Sequence, residues 1–175
     1  MNARTGFAIW ITGLPASGKS TISRELAKKL GERNILAVIL ESDKLRKILT
    51  PDANYSPEER DRFYRMMVQL GDLLVRSGVN VIFDATANKR KYRDHARGLI
   101  PKFMEVYVRC PLEVCMKRDP KGIYRHAAAG TAAAVPGLQA PYEPPLNPEV
   151  TVDGEAPPES GADGILEKLA QLLSI

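Results

Sequence analysis

Residues 13–20 read Gly-Leu-Pro-Ala-Ser-Gly-Lys-Ser, and this stretch decides the fold. The apolar residues 7–12 before it predict a β-strand, whereas residues 21–30 after it have the spacing of an amphipathic helix. A glycine-rich turn between a strand and a helix directs backbone N–H groups and the helix N-terminus at bound phosphates. We therefore predict a nucleoside triphosphate site. The alternative is a turn without a ligand, but chance rarely supplies Gly-Lys-Ser in this register.

Each residue type in the loop has a chemical role. Gly13 and Gly18 allow the backbone to curve into a nest for phosphate oxygens. Lys19 is predicted to reach the β- and γ-phosphates of ATP, and Ser20 to place its hydroxyl on Mg²⁺. The predicted ATP-binding residues of this stretch are Gly13, Leu14, Pro15, Ala16, Ser17, Gly18, Lys19, Ser20 and Thr21.

Length and composition limit what surrounds the loop. With 175 residues, 44% of them apolar, the chain is predicted to be a single domain, residues 1–175. No apolar run reaches the roughly 18–20 residues of a membrane helix, so we expect a cytoplasmic protein without a membrane partner. The net charge of +4 suits an anionic ligand, but the basic residues are dispersed, which argues against nucleic acid. Two cysteines support neither a disulfide framework nor a metal site, so we expect free thiols.

Apolar runs alternate with helical periodicity along the rest of the chain. This alternation predicts an α/β fold in three layers, with a mostly parallel central sheet and helices on both faces. The predicted strands are residues 7–12, 35–40, 79–83, 103–108 and 150–152, and the predicted helices are 19–30, 57–77, 89–100, 112–118 and 158–173. In such sheets ligands bind at the carboxyl ends of the strands.

Two acidic residues follow predicted strands at that edge. Asp43 comes after the second strand, and Asp84 follows the third. Phosphoryl transfer needs carboxylates that orient Mg²⁺ or accept the proton of the attacking hydroxyl. We predict Asp43 as the base and Asp84 as the carboxylate on the metal side, and thus Lys19, Asp43 and Asp84 as the catalytic set. The alternative for both aspartates is a helix N-cap.

Several segments beyond the loop resemble the adenylylsulfate kinases. They are residues 6–29, Asp43-x-x-Arg46, 106–115, Arg118-Asp119, 121–124 and 141–149, and together they span nearly the whole chain. The segment 141–149, Pro-Tyr-Glu-Pro-Pro-Leu-Asn-Pro-Glu, is the most diagnostic, because it has no general role in nucleotide binding.

The resemblance implies a P-loop kinase fold and transfer of the ATP γ-phosphate to the 3′-hydroxyl of adenylyl sulfate, in sulfate assimilation. It implies Mg²⁺, commonly a homodimer, and a possible association with sulfate adenylyltransferase. By the same resemblance, Asp43 belongs to the catalytic acidic motif, Arg46 and Arg60 contact the acceptor, and Arg118 lies by the ATP adenine. Residues 121–145 would form a lid.

The chain departs from the family pattern in the acceptor pocket. Phe63 stands where the family has Asn, and Tyr55 begins the segment that the family starts with Phe. Residues 133–138, Ala-Ala-Val-Pro-Gly-Leu, replace Lys-Gly-Phe-Thr-Gly-Ile, and residues 84–90, Asp-Ala-Thr-Ala-Asn-Lys-Arg, replace Ser-Ala-Ile-Ser-Pro-Tyr-Arg. We predict that Tyr55, Phe63 and Leu138 line the pocket, with Tyr55 or Phe63 stacking on the base.

These departures leave two other functions open. A related kinase could act on another small hydroxyl- or phosphoramidate-bearing metabolite or nucleotide. A domain that binds ATP without turning it over would belong to a different class, although the presence of Lys19, Ser20 and Asp43 argues against it.

Overall fold

The computed structural model describes residues 5–132 and 134–173. The predicted α/β fold is confirmed. Its elements in chain order are β1 (Ala8–Thr12), α1 (Lys19–Gly31), β2 (Ala37–Glu41), α2 (Ser42–Leu49), α3 (Pro57–Arg76), β3 (Asn80–Asp84), α4 (Arg90–Leu99), β4 (Phe103–Arg109), α5 (Leu112–Arg118), α6 (Ile123–Ala128), β5 (Val150–Asp153) and α7 (Pro158–Leu173).

The sheet has five strands in the order β2-β3-β1-β4-β5, and every neighbouring pair is parallel. Strand β1, which runs into the phosphate loop, lies at the centre. The register pairs Asp84 with Ile11 on one side and with Glu41 on the other. The parallel arrangement therefore brings the ends of β1, β2 and β3 to one edge, as the positions of Asp43 and Asp84 predict.

The two faces of the sheet carry separate cores. Ile9 and Ile11 of β1 belong to the cluster that includes α1 and α7, whereas Ala8 and Trp10 belong to the cluster that includes α3 and α4. Because successive strand residues point to opposite faces, a strand between two helical layers is buried throughout. The Trp10 ring stacks on Phe83, with ring centroids 4.6 Å apart. This packing fixes the strand from which the phosphate loop begins.

Two helices differ from the sequence prediction. Helix α2 begins directly after β2, where we predicted no helix; it spans only eight residues and turns few apolar side chains, Leu45 and Leu49, to the core. Helix α6, at Ile123–Ala128, lies in the segment for which we predicted a lid and no helix. Helices this short show too few repeats of the 3.6-residue period to be recognised. Ala133 lies outside the described residues.

Candidate functional site

A cavity of about 1140 Å³ lies at the carboxyl ends of β1, β2 and β3. The phosphate loop and the start of α1 form its floor, and α2, Tyr55, Arg60 and Asp84 form one side. Arg118 and several lid residues within 121–132 and 134–136 contribute the other side. The structure thus brings most of the predicted site residues together around one cavity.

The loop reaches its shape through its glycines. Gly13 leaves no room for a side chain, since a Cβ there would lie 2.6 Å from the carbonyl oxygen of Val108. Gly18 has a φ of 103° and occupies the N-cap position of α1, where no side chain caps the helix. The first amide groups of α1 are therefore left for a ligand, which is the arrangement that binds phosphate.

Lys19 is buried beneath the cavity. Its Nζ donates a hydrogen bond to the carbonyl oxygen of Leu14 at 2.7 Å. Burial lowers the pKa of the Lys19 ammonium, and the charges of Asp84 and Asp43 oppose that shift. The ammonium is close to two carboxylates and deprived of water, so a phosphate that enters the loop gains a strong partner.

Asp84 ends β3 and is buried against the floor. Burial raises the pKa of its carboxyl, whereas Lys19 and a hydrogen bond with Ser20 act in the opposite direction. Helix α4 begins only at Arg90, so Asp84 caps no helix. Ser20 and Asp84 together offer a hydroxyl and a carboxylate, the oxygen ligands that suit Mg²⁺ beside nucleotide phosphates.

Within the described residues, no group of three or more His, Cys, Asp and Glu side chains is arranged to hold a metal ion. A cation at this site would therefore depend on the nucleotide and on water for most of its ligands, as Mg²⁺ commonly does.

Asp43 lies in the first turn of α2, at the mouth of the cavity. Its Oδ2 accepts a hydrogen bond from Nζ of Lys121 in the lid at 2.5 Å. Both side chains are more than half exposed. No side-chain hydrogen bond caps α2, so capping does not account for Asp43.

Arg46 lies against Tyr55 and Phe63, the two rings from which we predicted stacking on the base. Its guanidinium lies 4.9 Å from the centre of the Tyr55 ring and 4.0 Å from that of Phe63. It also forms a buried ion pair with Glu59, with Nη1 and Oε1 2.6 Å apart. Phe63 is completely buried and does not line the cavity. Because the Phe63 ring is not exposed, it cannot make the predicted contact with the substrate. It lies against the Arg46 guanidinium instead.

Arg60 connects three segments at the cavity wall. Its Nε donates to the carbonyl oxygen of Tyr55 at 3.1 Å, its Nη1 to Oδ1 of Asn88 at 3.3 Å, and its Nη2 to the carbonyl oxygen of Ala134 at 2.7 Å. The side chain is 8% exposed. A guanidinium held by three acceptors keeps one orientation, which suits a residue that must recognise a ligand.

Leu138 does not reach the main cavity. It lies beside Leu14 and Tyr142 in a second cavity of about 520 Å³ and is 42% exposed. The structure does not bring Leu138 to the main cavity, and its place in the acceptor pocket stays a prediction; the residue follows Gly137, where φ is 85°. Val135 instead turns its side chain inwards, where it is buried and lines the main cavity.

Arg118 ends α5 and lines the cavity at the side opposite α2. Its Nη1 donates to the carbonyl oxygen of Gly154 at 2.7 Å. Cys110 lies nearby, 3.9 Å from the same nitrogen, and both Cys110 and Cys115 are buried free thiols, as expected.

Buried side chains fix the far end of the lid to the sheet. Arg93 donates from Nη2 to the carbonyl oxygen of Glu143 at 2.6 Å and from Nη1 to that of Ala87 at 2.9 Å. Its Nε lies 2.8 Å from Oε1 of Glu105, at an angle that leaves the N–H without a hydrogen bond. The Tyr142 hydroxyl lies 3.1 Å from Oγ1 of Thr12, the last residue of β1. The lid end and the phosphate loop therefore share one support.

Sequence reasoning missed several of these residues. Glu59, Asn88 and Tyr142 were assigned no role. Residues 89–97 form a charge run at a helix start, which is usually a solvated face; the alternative was an anion-binding patch, with Arg93 as the exception to the solvated face. The diagnostic segment 141–149 was the available signal, because a rigid proline-rich stretch needs partners elsewhere in the fold.

Backbone strain concentrates around the cavity. Among residues 5–132 and 134–173, six non-glycine residues have φ in the left-handed region, and of these six Asn34 lies away from the cavity and lid. The other five are Ala16, Tyr55, Ala87, Asp119 and Ala134. Such conformations are common at ligand sites, where the surrounding structure holds them.

No helix of the described residues is long and apolar enough to cross a membrane.

Known proteins resemble the chain over nearly its whole length. The family model for adenylylsulphate kinase matches residues 5–153. A probable adenylyl-sulfate kinase of Pyrococcus abyssi is 41% identical, over 95% of this chain and 97% of the relative. An adenylyl-sulfate kinase of Gloeothece citriformis is 44% identical, over 95% and 96%. The structure of the Mycobacterium tuberculosis APS kinase CysC in complex with AMPPNP and APS aligns with a TM-score of 0.88 and 32% identity, covering 94% of this chain and 98% of that one.

Proposed function

This chain belongs to the adenylylsulphate kinase family of ATP-dependent kinases, and we propose that its cavity joins the ATP γ-phosphate to the 3′-hydroxyl of adenylyl sulfate. The observation that carries the proposal is the convergence of Lys19, Asp84 and Asp43 with Arg46 and Arg60 on one cavity. The first group serves the phosphates and the second serves an anionic acceptor.

We assign the transfer to the phosphate loop and its neighbours. The free backbone N–H groups of the loop and of the start of α1, together with the Lys19 ammonium, hold the β- and γ-phosphates in line with the acceptor. Ser20 and Asp84 would hold Mg²⁺, whose charge offsets that of the phosphates. Lys19 can follow the developing negative charge, since its only hydrogen bond here is to the Leu14 carbonyl.

Asp43 is the proposed base. It lies at the mouth of the cavity on the side of Arg46, and its exposed carboxylate pairs with the exposed side chain of Lys121. Release of that lysine would free an oxygen to accept the 3′-hydroxyl proton as the hydroxyl attacks the γ-phosphorus. The lid would then exclude water, which otherwise competes as the acceptor.

The acceptor's negative groups would bind Arg46 and Arg60. Arg46 is aligned by Glu59 and two rings, and Arg60 by three carbonyl or amide oxygens. Tyr55 is the ring still available for stacking, since it lines the cavity and is 45% exposed. Stacking on it would contribute on the order of 1–3 kcal/mol. Arg118 would lie by the ATP adenine.

Sulfate assimilation, a cytoplasmic location, a homodimer and an association with sulfate adenylyltransferase complete the proposal, and they rest on the family resemblance. The hexameric APS kinase from Thiobacillus denitrificans is 25% identical to this chain, which covers 29% of that protein. Light scattering on the purified chain would measure its oligomeric state and test the proposed homodimer.

A second candidate function has one observation in its favour. Arg46 fills the space between Tyr55 and Phe63, and Leu138 faces away from the cavity, so the base of adenylyl sulfate has fewer walls than we expected. A kinase that acts on another small hydroxyl-bearing metabolite would use the same phosphate loop.

The test is ADP release by the purified chain with Mg²⁺-ATP, with and without adenylyl sulfate, and identification of the product. Strong stimulation at micromolar acceptor, with a 3′-phosphorylated product, supports the first function. Intact ATP binding without stimulation favours the second. D43N should then lower kcat by about 10²–10⁴-fold with little change in either KM, because a base acts in the transition state.

A further inference from the structure

Asn88 lies between the acceptor side of the cavity and the lid, in the segment between β3 and α4. It is 3% exposed, and every polar group of its side chain is used. Nδ2 donates to the carbonyl oxygen of Pro141 at 3.0 Å, and Oδ1 accepts from Nη1 of Arg60 at 3.3 Å. Its backbone oxygen accepts from the amide of Glu143 at 2.8 Å. One residue thus contacts both Arg60 and the anchored end of the lid.

The chemistry of the two partners fixes the orientation of the Asn88 amide. A guanidinium only donates, and a carbonyl oxygen only accepts. If Oδ1 and Nδ2 exchanged places, the Nδ2 donor would lie against the N–H groups of Arg60, and the Oδ1 acceptor would lie against the carbonyl oxygen of Pro141. The flipped amide would therefore lose both hydrogen bonds.

Arg60 is consequently joined to the lid at two points. It bonds directly to the carbonyl oxygen of Ala134 at 2.7 Å, and through Asn88 it reaches Pro141, near the far end. A shift of the lid at either point moves an acceptor of the Arg60 guanidinium. Conversely, a ligand that reorients Arg60 pulls on both points.

We propose that Asn88 is a positioning residue, which sets the orientation of Arg60 relative to the lid and so links acceptor binding to lid placement. The inference rests on the proposed function, in which Arg60 contacts the acceptor.

Steady-state kinetics of N88A test the proposal. Loss of a hydrogen bond to a charged group should raise KM for adenylyl sulfate about tenfold, while KM for ATP changes less than about twofold. N80A is the matched control, because Asn80 also bridges two backbone groups, donating to Leu36 and accepting from Phe7, at the opposite edge of the sheet. We expect N80A to lower the melting temperature and to leave both KM values unchanged. Equal changes in both KM values for N88A would overturn the inference.

A double-mutant cycle separates this inference from the proposed function. R60A should raise KM for adenylyl sulfate by more than N88A does, and N88A should add nothing in the R60A background. If R60A leaves that KM unchanged, the proposed role of Arg60 fails, and the inference fails with it. If R60A raises it and N88A does not, or if the two effects simply multiply, only the inference is wrong.

A second variant keeps the test open if N88A does not fold. N88D keeps the size of the side chain and the oxygen that faces Arg60, but it loses the donor to Pro141. We expect trypsin to cleave after Lys121 and Arg125, both in the lid, several-fold faster than in the wild type, and adenylyl sulfate to protect less. If trypsin cleaved N88D at the same rate as the wild type, both with and without adenylyl sulfate, the proposed link would be contradicted.

Discussion

The phosphate loop and the lid face each other across one cavity, but they hold their shapes by different means. The loop depends on its own backbone: Ser17 N–H and Lys19 Nζ both bond to the carbonyl oxygen of Leu14, within the same eight residues. The far end of the lid depends on distant side chains, with Arg93 bonded to Glu143, 50 positions away. A local site tolerates change elsewhere in the chain, whereas a site held by distant partners can be lost through any of them.

The largest effect should come from R93M, which removes the support of the lid. The carbonyl oxygens of Ala87 and Glu143 lose their donor, and the buried Glu105 carboxylate loses one cation. Breaking a buried ion pair typically costs about 3–5 kcal/mol, and we expect a loss of this size in the free energy of unfolding measured with urea. R97M should cost less, because Arg97 is more exposed. If R93M lowered the free energy of unfolding by less than R97M does, Arg93 would not be the main support of the lid.

K19M should act on the loop and leave the lid intact. Removal of one preorganised donor to developing negative charge lowers kcat by about 10²–10³-fold, and we expect that range in an ADP-release assay. K29M is the control on the same helix, since Lys29 pairs with Asp163 far from the cavity. Similar turnover in K19M and the wild type would show that the loop amides alone stabilise the transferring phosphate.

E149Q probes the lid side through its pH dependence. Burial would raise the pKa of the Glu149 carboxyl, but the hydrogen bonds from Arg97 and from the Glu105 amide outweigh it and hold the pKa below its usual 4.5. The native state therefore binds fewer protons than the unfolded state near that pH. The carboxylate's contribution is complete above pH 4.5 and disappears as the pH falls through the native value.

We accordingly expect E149Q to lose about 1.5–3 kcal/mol of unfolding free energy at pH 7. The difference from the wild type should shrink steadily below pH 4.5, as urea titrations at several pH values would reveal. A difference that does not depend on pH would mean that the charge of Glu149 is not what matters.

The smallest effect belongs to Y124F, which removes a hydrogen bond between α6 of the lid and the phosphate loop. The Tyr124 hydroxyl donates to the carbonyl oxygen of Pro15 at 3.0 Å, and its loss should cost about 0.5–1.5 kcal/mol. Y92F removes a similar hydroxyl, bonded to Asp61 away from the lid. A few-fold rise in KM for ATP in Y124F but not in Y92F would place this contact in nucleotide binding; equal KM values would exclude it.

The same contrast explains what could be predicted from the sequence. The loop, the parallel sheet and the convergence of Asp43 with Asp84 follow from local patterns and from the rule that parallel strands end at one edge. The acceptor side did not follow: Phe63 was predicted to touch the substrate, yet it is buried beneath Arg46. Whether an aromatic ring faces a ligand or supports a neighbour depends on packing between segments, which spacing along the chain does not record.

The strained backbone around the cavity has a consequence for how this enzyme can evolve. Glycine would relieve the left-handed conformation at Ala16, Tyr55 or Asp119, so selection for heat tolerance has an accessible route at the rim of its own active site. At Tyr55 that route would delete the exposed ring, and at Asp119 the carboxylate that accepts from the amides of Tyr124 and Arg125. Relief of strain at Tyr55 would therefore cost a side chain of the cavity, and at Asp119 it would be offset by the loss of two hydrogen bonds.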